Sequence, residues 1–155
     1  MDWVPAFGKD LRSYAHPVLA LRYLYVGAED TGRDLAAWLR LPGARVRWRF
    51  RHFGADVAAV DLGAPPVVLV ADHRPPGSLL PIYAADDLEA AMAGLDEEGW
   101  DIQVGPMGTP EGPACVLRNE SGVAIALLQV QRPEAMEHAY ADEANLHAVR
   151  PDAES

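Results

Sequence analysis

The side chains best suited to chemistry are a row of arginines, five histidines, one cysteine and two closely spaced tyrosines, Tyr23 and Tyr25. Arg45-Val46-Arg47-Trp48-Arg49-Phe50-Arg51-His52-Phe53 alternates strictly. As a strand it places Arg45, Arg47, Arg49 and Arg51 on one face and Val46, Trp48 and Phe50 on the other. Guanidinium groups in a row can clamp carboxylate or phosphate groups of a ligand. They can equally pair with Asp and Glu from the acidic half of the chain or from a partner subunit. The second reading is preferred, because the chain supplies its own anions. His16, His52, His73, His138 and His147 lack the i, i+4 or short-loop spacing of a local metal site. His138 and His147 stand near Glu134, Glu137 and Asp142, which reads as a solvated face in preference to a metal site. No serine occupies a Gly-x-Ser-x-Gly turn, and Cys115, in an apolar run, reads as a small core residue and not a reactive thiol.

The charge of these groups is unevenly divided. The 155-residue chain carries a net charge of −10, composed of +2 over residues 1–75 and −12 over residues 76–155. So acidic a surface disfavours nucleic acid, whose affinity rests on cationic contacts to phosphate. Its apolar runs, Val67–Ala71 and Val123–Leu128, fall far short of the ~20 residues that span a bilayer. The start, Met1-Asp2-Trp3-Val4-Pro5, lacks the basic and apolar stretches of a secretory signal, and one cysteine cannot make an internal disulfide. A cytoplasmic protein of one domain or two very small ones is expected, and its arginine-, alanine- and proline-rich usage suggests a bacterial source.

The elements that must position these residues come in a repeating order. Leu19–Val26 reads as a strand, residues 34–41 as a helix stopped by Pro42-Gly43, and Arg45–Phe53, Asp56–Leu62 and Pro66–Ala71 as three strands. Leu79–Ala84 is again a strand, residues 86–95 a helix with carboxylates at its positive end, and Asp101–Val104, Ala114–Leu117 and Val123–Val130 three more strands. An offset of 57 lays Asp30 on Asp87, Leu35 on Met92 and Val67-Val68-Leu69-Val70 on Ala124-Ile125-Ala126-Leu127. Each half is too small to close a core alone, so the two must pack on each other or on a second chain. The expected organisation is an arm over 1–18, βαβββ modules over 19–75 and 79–131, and an acidic, partly helical tail over 132–155. In the tail, Glu134–Val149 has helix-forming composition, with Met136, Tyr140 and Leu146 as docking residues for a neighbouring subunit or the mouth of the fold.

This duplicated order, with "YLYVGAEDTGRDLAAWLRLPG", "DDLEAAMAGLDEEGWDI" and "NESGVAIALLQ", resembles the vicinal oxygen chelate superfamily of glyoxalases, bleomycin-resistance proteins and extradiol dioxygenases over about residues 19–131. The resemblance implies an α+β fold in which two βαβββ modules roll a mixed sheet into a cup, with the helices on its convex side and homodimers the usual assembly. It also implies a divalent metal held by the first and last strands of each half, usually by His, Gln or Glu. Carried over one at a time, those positions are Tyr23, Leu69, Leu80 and Ala126. A hard divalent cation needs several oxygen or imidazole ligands. This set provides none of that quality, so no metal and no cofactor are expected.

Strand parity then assigns the cup lining as Leu21, Tyr23, Tyr25, Leu69, Leu80, Ile82, Ala124, Ala126 and Leu128. Paired with it, Ile102 and Val104 fall opposite Val46 and Trp48, so the apolar face of the Arg45–Phe53 strand is expected on the helix and its arginines on the concave side. An apolar cup with two phenols suits a small hydrophobic or aromatic molecule, and the acidic surface favours a cationic one. Against this metal-free binding protein stand a metal-dependent lyase, isomerase or dioxygenase with non-standard ligands, and a non-catalytic interaction module.

Overall fold

A computed structural model describes residues 19–151, so the expected arm over 1–18 lies outside the described residues. The chain runs β1 (Ala20–Gly27), α1 (Thr31–Trp38), β2 (Arg45–His52), β3 (Ala55–Asp61), β4 (Val67–Ala71), β5 (Leu79–Ala84), α2 (Leu88–Glu97), β6 (Asp101–Thr109), β7 (Gly112–Arg118), β8 (Ala124–Leu128) and α3 (Ala135–Ala141). The repeat is visible residue by residue. Thr31 and Leu88 open the two helices, Ala55 and Gly112 open β3 and β7, and Val67 and Ala124 open β4 and β8, each pair 57 residues apart. Both helices also start by the same device. The carboxylate of Asp30 accepts from the Arg33 amide at 2.9 Å and that of Asp87 from the Ala90 amide at 3.0 Å, so each satisfies one orphan donor of its first turn.

All eight strands form one mixed sheet in the order β2-β3-β4-β1-β5-β8-β7-β6, a palindrome about the β1–β5 seam. Across that antiparallel seam Tyr23 faces Ile82 and Tyr25 faces Leu80. On either side, parallel pairs set Tyr25 beside Leu69 and Ile82 beside Ala126, which are themselves related by the repeat. The result is an α+β, cup-shaped open sheet. No helix among the described residues is long and apolar enough to cross a membrane.

Three apolar clusters hold it together. On the convex side α1 packs Leu35 on Val26, Val60, Val68 and Val70, and α2 packs Leu88 and Met92 on Leu117, Ile125 and Leu127. Burying such side chains is worth ~1.5–3 kcal/mol each. Cys115 belongs to the second of these clusters, fully buried, and burial pushes its thiol pKa up against a backbone hydrogen bond to Leu127 that lowers it. The third cluster covers the concave side and draws on both modules and the tail: Tyr23, Trp48, Leu69, Ala114 and Leu128, joined by Phe50, Met136 and Tyr140.

Two expectations about faces are corrected here. The ladder between β2 and β3 shifts register between Val46 and Trp48. Val46 therefore packs with the α1 cluster, while Trp48 and Phe50 turn to the concave side. Ile102 and Val104 do not pack on α2. They stand 45% and 48% exposed on β6, where the ladder also slips.

The tail is partly helical, but over a shorter span than its composition suggests. Its helix covers only Ala135–Ala141; beyond it, the Asn145 side chain donates to the Ala139 carbonyl and the chain turns extended. It then runs along β2, with the Arg51 amide donating to His147 O at 2.8 Å and the Val149 amide to Arg49 O at 2.8 Å. Met136 and Tyr140 dock on the concave cluster, whereas Leu146 is 94% exposed. An open sheet edge is thereby closed by the chain's own backbone.

Candidate functional site

The concave side encloses a cavity of about 510 Å³. Of the residues expected to line it, Tyr23, Tyr25, Leu69, Leu80, Ile82, Ala126 and Leu128 do so. Leu21 does not: β1 slips register against β5 between Leu21 and Tyr23, and Leu21 ends 37% exposed outside the cavity. Ala124, at the start of β8, is also outside it.

That same irregularity turns Arg22 toward the cavity side. Its Nε donates to Glu111 Oε1 at 2.9 Å and its Nη2 to the Pro133 carbonyl at 3.0 Å, while the Tyr23 hydroxyl donates to Glu111 Oε2. Glu111 is 4% exposed and lines the cavity from the turn between β6 and β7. The turn is fixed locally: the Thr109 hydroxyl donates to the Gly112 carbonyl at 2.6 Å, and the Glu111 carbonyl accepts from the Gln131 and Arg132 amides. Gly112 has φ +148°, and a Cβ there would run into the Gln129 carbonyl, so only glycine lets the turn lie this close to the chain leaving β8. Burial pushes the Tyr23 pKa far up, and the hydrogen bond to Glu111 and its charge push it further, against the lowering charge of Arg22. Tyr23 is thus a neutral phenol, a donor that holds Glu111 in place.

The opposite wall is aromatic and basic. Trp48 and Phe50 line it with ring centroids 5.7 Å apart, and Tyr140 meets Phe50 edge-on at 6.0 Å. From the loop between β4 and β5, His73 Nε2 lies 2.7 Å from the Tyr25 hydroxyl and the Arg74 guanidinium lies 5.1 Å from the Tyr25 ring centroid. Burial raises the Tyr25 pKa, opposed by the charge of Arg74. Trp48 Nε1 and Arg74 Nε are buried without a hydrogen-bond partner.

The arginine row of β2 does not face the cavity as a set. Arg49 is 6% exposed and binds Asp56 twice, at 2.9 and 2.8 Å; Arg51 adds a third bond to the same carboxylate at 3.1 Å. Burial raises the pKa of Asp56, but these hydrogen bonds and charges outweigh it and hold the carboxyl below its usual range. Arg45 pairs with Asp61 at 3.3 Å and Arg47, displaced by the irregularity in β2, with Glu137 of α3 at 3.6 Å. The chain does supply the anions, though Asp56 and Asp61 come from the nearly neutral half and only Glu137 from the acidic one.

The donor set for a divalent metal does not fit. At the four strand positions where the resemblance places ligands stand Tyr23, Leu69, Leu80 and Ala126, and the one oxygen among them is committed to Glu111. Among the described residues no three His, Cys, Asp or Glu side chains converge on a metal position. His138 reaches only Glu134, at 3.5 Å on an exposed face, while His147 has turned to His52, their Nδ1 atoms 3.1 Å apart.

Comparison with solved structures places this geometry in a known architecture. A hypothetical protein from Bacillus halodurans C-125 superposes with a TM-score of 0.64 at 10% identity, over 74% of this chain and 96% of that one. A methylmalonyl-CoA epimerase gives 0.60 at 16%, over 73% and 96%. A variant of the Streptomyces coelicolor methylmalonyl-CoA epimerase in complex with 2-nitronate-propionyl-CoA gives 0.60 at 12%, over 74% and 99%. The chain has the vicinal oxygen chelate fold, the glyoxalase/bleomycin-resistance architecture of these neighbours. No protein-family model and no curated protein matches it.

Among the lining residues that the sequence does not reveal are Trp48, Phe50, His73, Arg74 and Glu111. Trp48 and Phe50 carried a signal, the aromatic side of an alternating strand, but on the wrong face. Glu111 carried none, since its place follows from a turn reaching across the sheet to β1.

Proposed function

We propose that this protein binds a small apolar or aromatic molecule in its cup, without a metal, and carries or sequesters it. The observation that supports this reading is the 510 Å³ cavity walled by Tyr25, Trp48, Phe50, Leu69, Ile82 and Met136, with apolar side chains at three of the four positions that would hold a metal. Cavities of about 300–1,000 Å³ with mainly apolar walls and few polar groups are the usual form of a small-molecule site. The epimerase neighbours share the fold at 12–16% identity, and their reaction is not carried over.

A metal-dependent lyase, isomerase or dioxygenase would have to draw on Glu111, His73 and His52. Those three line the same cavity without converging, and Glu111 is already held by Arg22 and Tyr23. Metal analysis of the purified protein separates the readings: substoichiometric zinc, nickel, manganese and iron are expected, and one equivalent of any of them overturns the metal-free reading. A ligand that binds only the folded form raises the melting temperature, by RT ln(1 + [L]/Kd) in free energy. A screen of small aromatic and aliphatic compounds is expected to yield such shifts. A uniformly flat result favours a filled cup and an interaction module.

A further inference from the structure

Resting on the reading of the cup as a binding site, we propose that its ligand is an acid: an apolar or aromatic body ending in a carboxylate, which Arg74 holds at the loop between β4 and β5. Arg74 lines the cavity, and its guanidinium has no carboxylate or other hydrogen-bonding partner among the described residues; its contact is with the face of Tyr25. Every arginine of the β2 row is paired with Asp56, Asp61 or Glu137. Arg22 is paired with Glu111, which lines the far wall. A cavity-lining guanidinium without an anionic partner is suited to an anion, and a carboxylate is the planar two-oxygen acceptor that fits its fork.

The placement of Arg74 is built into the fold. The Gly27 amide donates to Ser78 O at 2.9 Å and the Gly77 amide to Gly27 O at 3.1 Å, tying the loop to the end of β1. The Ser78 hydroxyl and amide both donate to the Pro75 carbonyl, at 2.6 and 3.0 Å. A Cβ on Gly27 would collide with that same carbonyl, so the loop sits directly against the strand. The backbone that carries Arg74 is thereby held, and less freedom is left to lose when its guanidinium takes an anion. His73 beside it is engaged with the Tyr25 hydroxyl, which steadies the ring beneath the guanidinium.

The charge balance of the cavity points the same way. Its buried carboxylate, Glu111, is already met by Arg22 and by the Tyr23 hydroxyl, so the uncompensated charge on the wall is the positive one of Arg74. The net −10 of the whole chain favours a cationic ligand at long range. In a cavity of low polarity the nearby unpaired guanidinium outweighs that distant, screened charge.

Three ligands of one shape test this by titration calorimetry on the full chain: phenylbutyrate, phenylbutanamide and phenylbutylamine. The acid is expected to bind about tenfold or more tighter than the amide, as one charge-assisted pair allows, and the amine weakest of the three. Arg74→Ala is expected to remove the preference for the acid while leaving amide affinity within about twofold, and Arg74→Lys, which keeps the charge but not the fork, to retain part of it. Equal or tighter binding of the amide by the wild-type protein, or a preference for the acid that survives Arg74→Ala, overturns the acidic headgroup and leaves the cup reading standing. Failure of all three compounds, and of the wider screen, overturns the cup reading and this inference with it.

Discussion

The two ends of the sheet are copies of one module and are finished in opposite ways. At one end, β2 turns Trp48 and Phe50 into the cup and is covered by Met136 and Tyr140 of α3 and by the extended tail over residues 147–149. At the other, β6 has no such cover among the described residues: residues 101–108 are all exposed, Ile102, Val104 and Met107 among them. What β6 contributes instead is its turn, which carries Glu111 back across the sheet to β1. The tail is the cause of the difference, because a single segment after β8 can close one edge and not both. Duplication set the scaffold, and the cavity took its asymmetry from what was added outside the repeat.

The largest expected effect tests this contrast. Trp48 is 4% exposed and fills the wall under the tail, so Trp48→Ala should destabilise by about 3–5 kcal/mol in denaturant titration. At the comparable place on the other edge, Val104 is 48% exposed and Val104→Ala should cost less than about 1 kcal/mol. Similar values at the two positions would mean that the edges are equivalent in solution and that the tail does not cover β2.

Removing the tail sharpens the point. A chain ending at Arg132 loses the Met136 and Tyr140 packing and both backbone bonds to β2, and should be less stable by about 2–3 kcal/mol. Its β2 edge becomes as open as β6. An unchanged melting temperature and unchanged sedimentation would show that the tail plays no part in the fold.

How far the sequence reveals this molecule depends on where alternation holds. Both helices, their Asp30 and Asp87 caps and the 57-residue repeat follow from local signals, and so do seven of the lining residues, because β1 beyond Arg22, β4, β5 and β8 keep strict parity through the seam. Parity fails at the register shifts. One removes Leu21 from the cup and leaves Arg22 bonded to Glu111; another separates Val46 from Trp48 and sends Arg47 to Glu137. An extra residue in one strand flips every neighbour on one side of it, and nothing in an Arg-x-Arg-x pattern marks where it falls. Glu111 and Arg74 were hidden for a different reason. Each sits in a turn, where side-chain direction is set by contacts distant in sequence.

The clamp that gives β6 its role is expected to matter less than the covered tryptophan. Glu111→Gln keeps the shape but leaves the Arg22 charge, 26% exposed, without its counter-ion, and should cost about 1–3 kcal/mol. Replacing Arg22 by Met in the same chain should recover part of that loss, since the unpaired charge is then gone. A double variant as unstable as the sum of the two single ones would show that the two residues act independently and that the turn is held by its backbone bonds alone.

The smallest effect lies in the pH dependence of the same clamp. The pKa of Tyr23 is raised in the folded chain by burial and by Glu111, while in the unfolded chain it ionises near pH 10. A group that holds its proton more tightly when folded gives stability that is complete below the unfolded pKa and lost as pH rises toward the folded one. Between neutrality and about pH 9, Tyr23 should therefore add no slope to the stability. Above about pH 10 the unfolded state releases a proton that the folded state keeps, so Tyr23 should contribute a fall of up to about 1.4 kcal/mol per pH unit. Tyr23→Phe has no proton to lose and should flatten that part of the profile relative to the wild type. Identical profiles above pH 10 for the wild type and Tyr23→Phe would mean that the phenol is not held by Glu111, and the turn of β6 would then lose its part in shaping the cup.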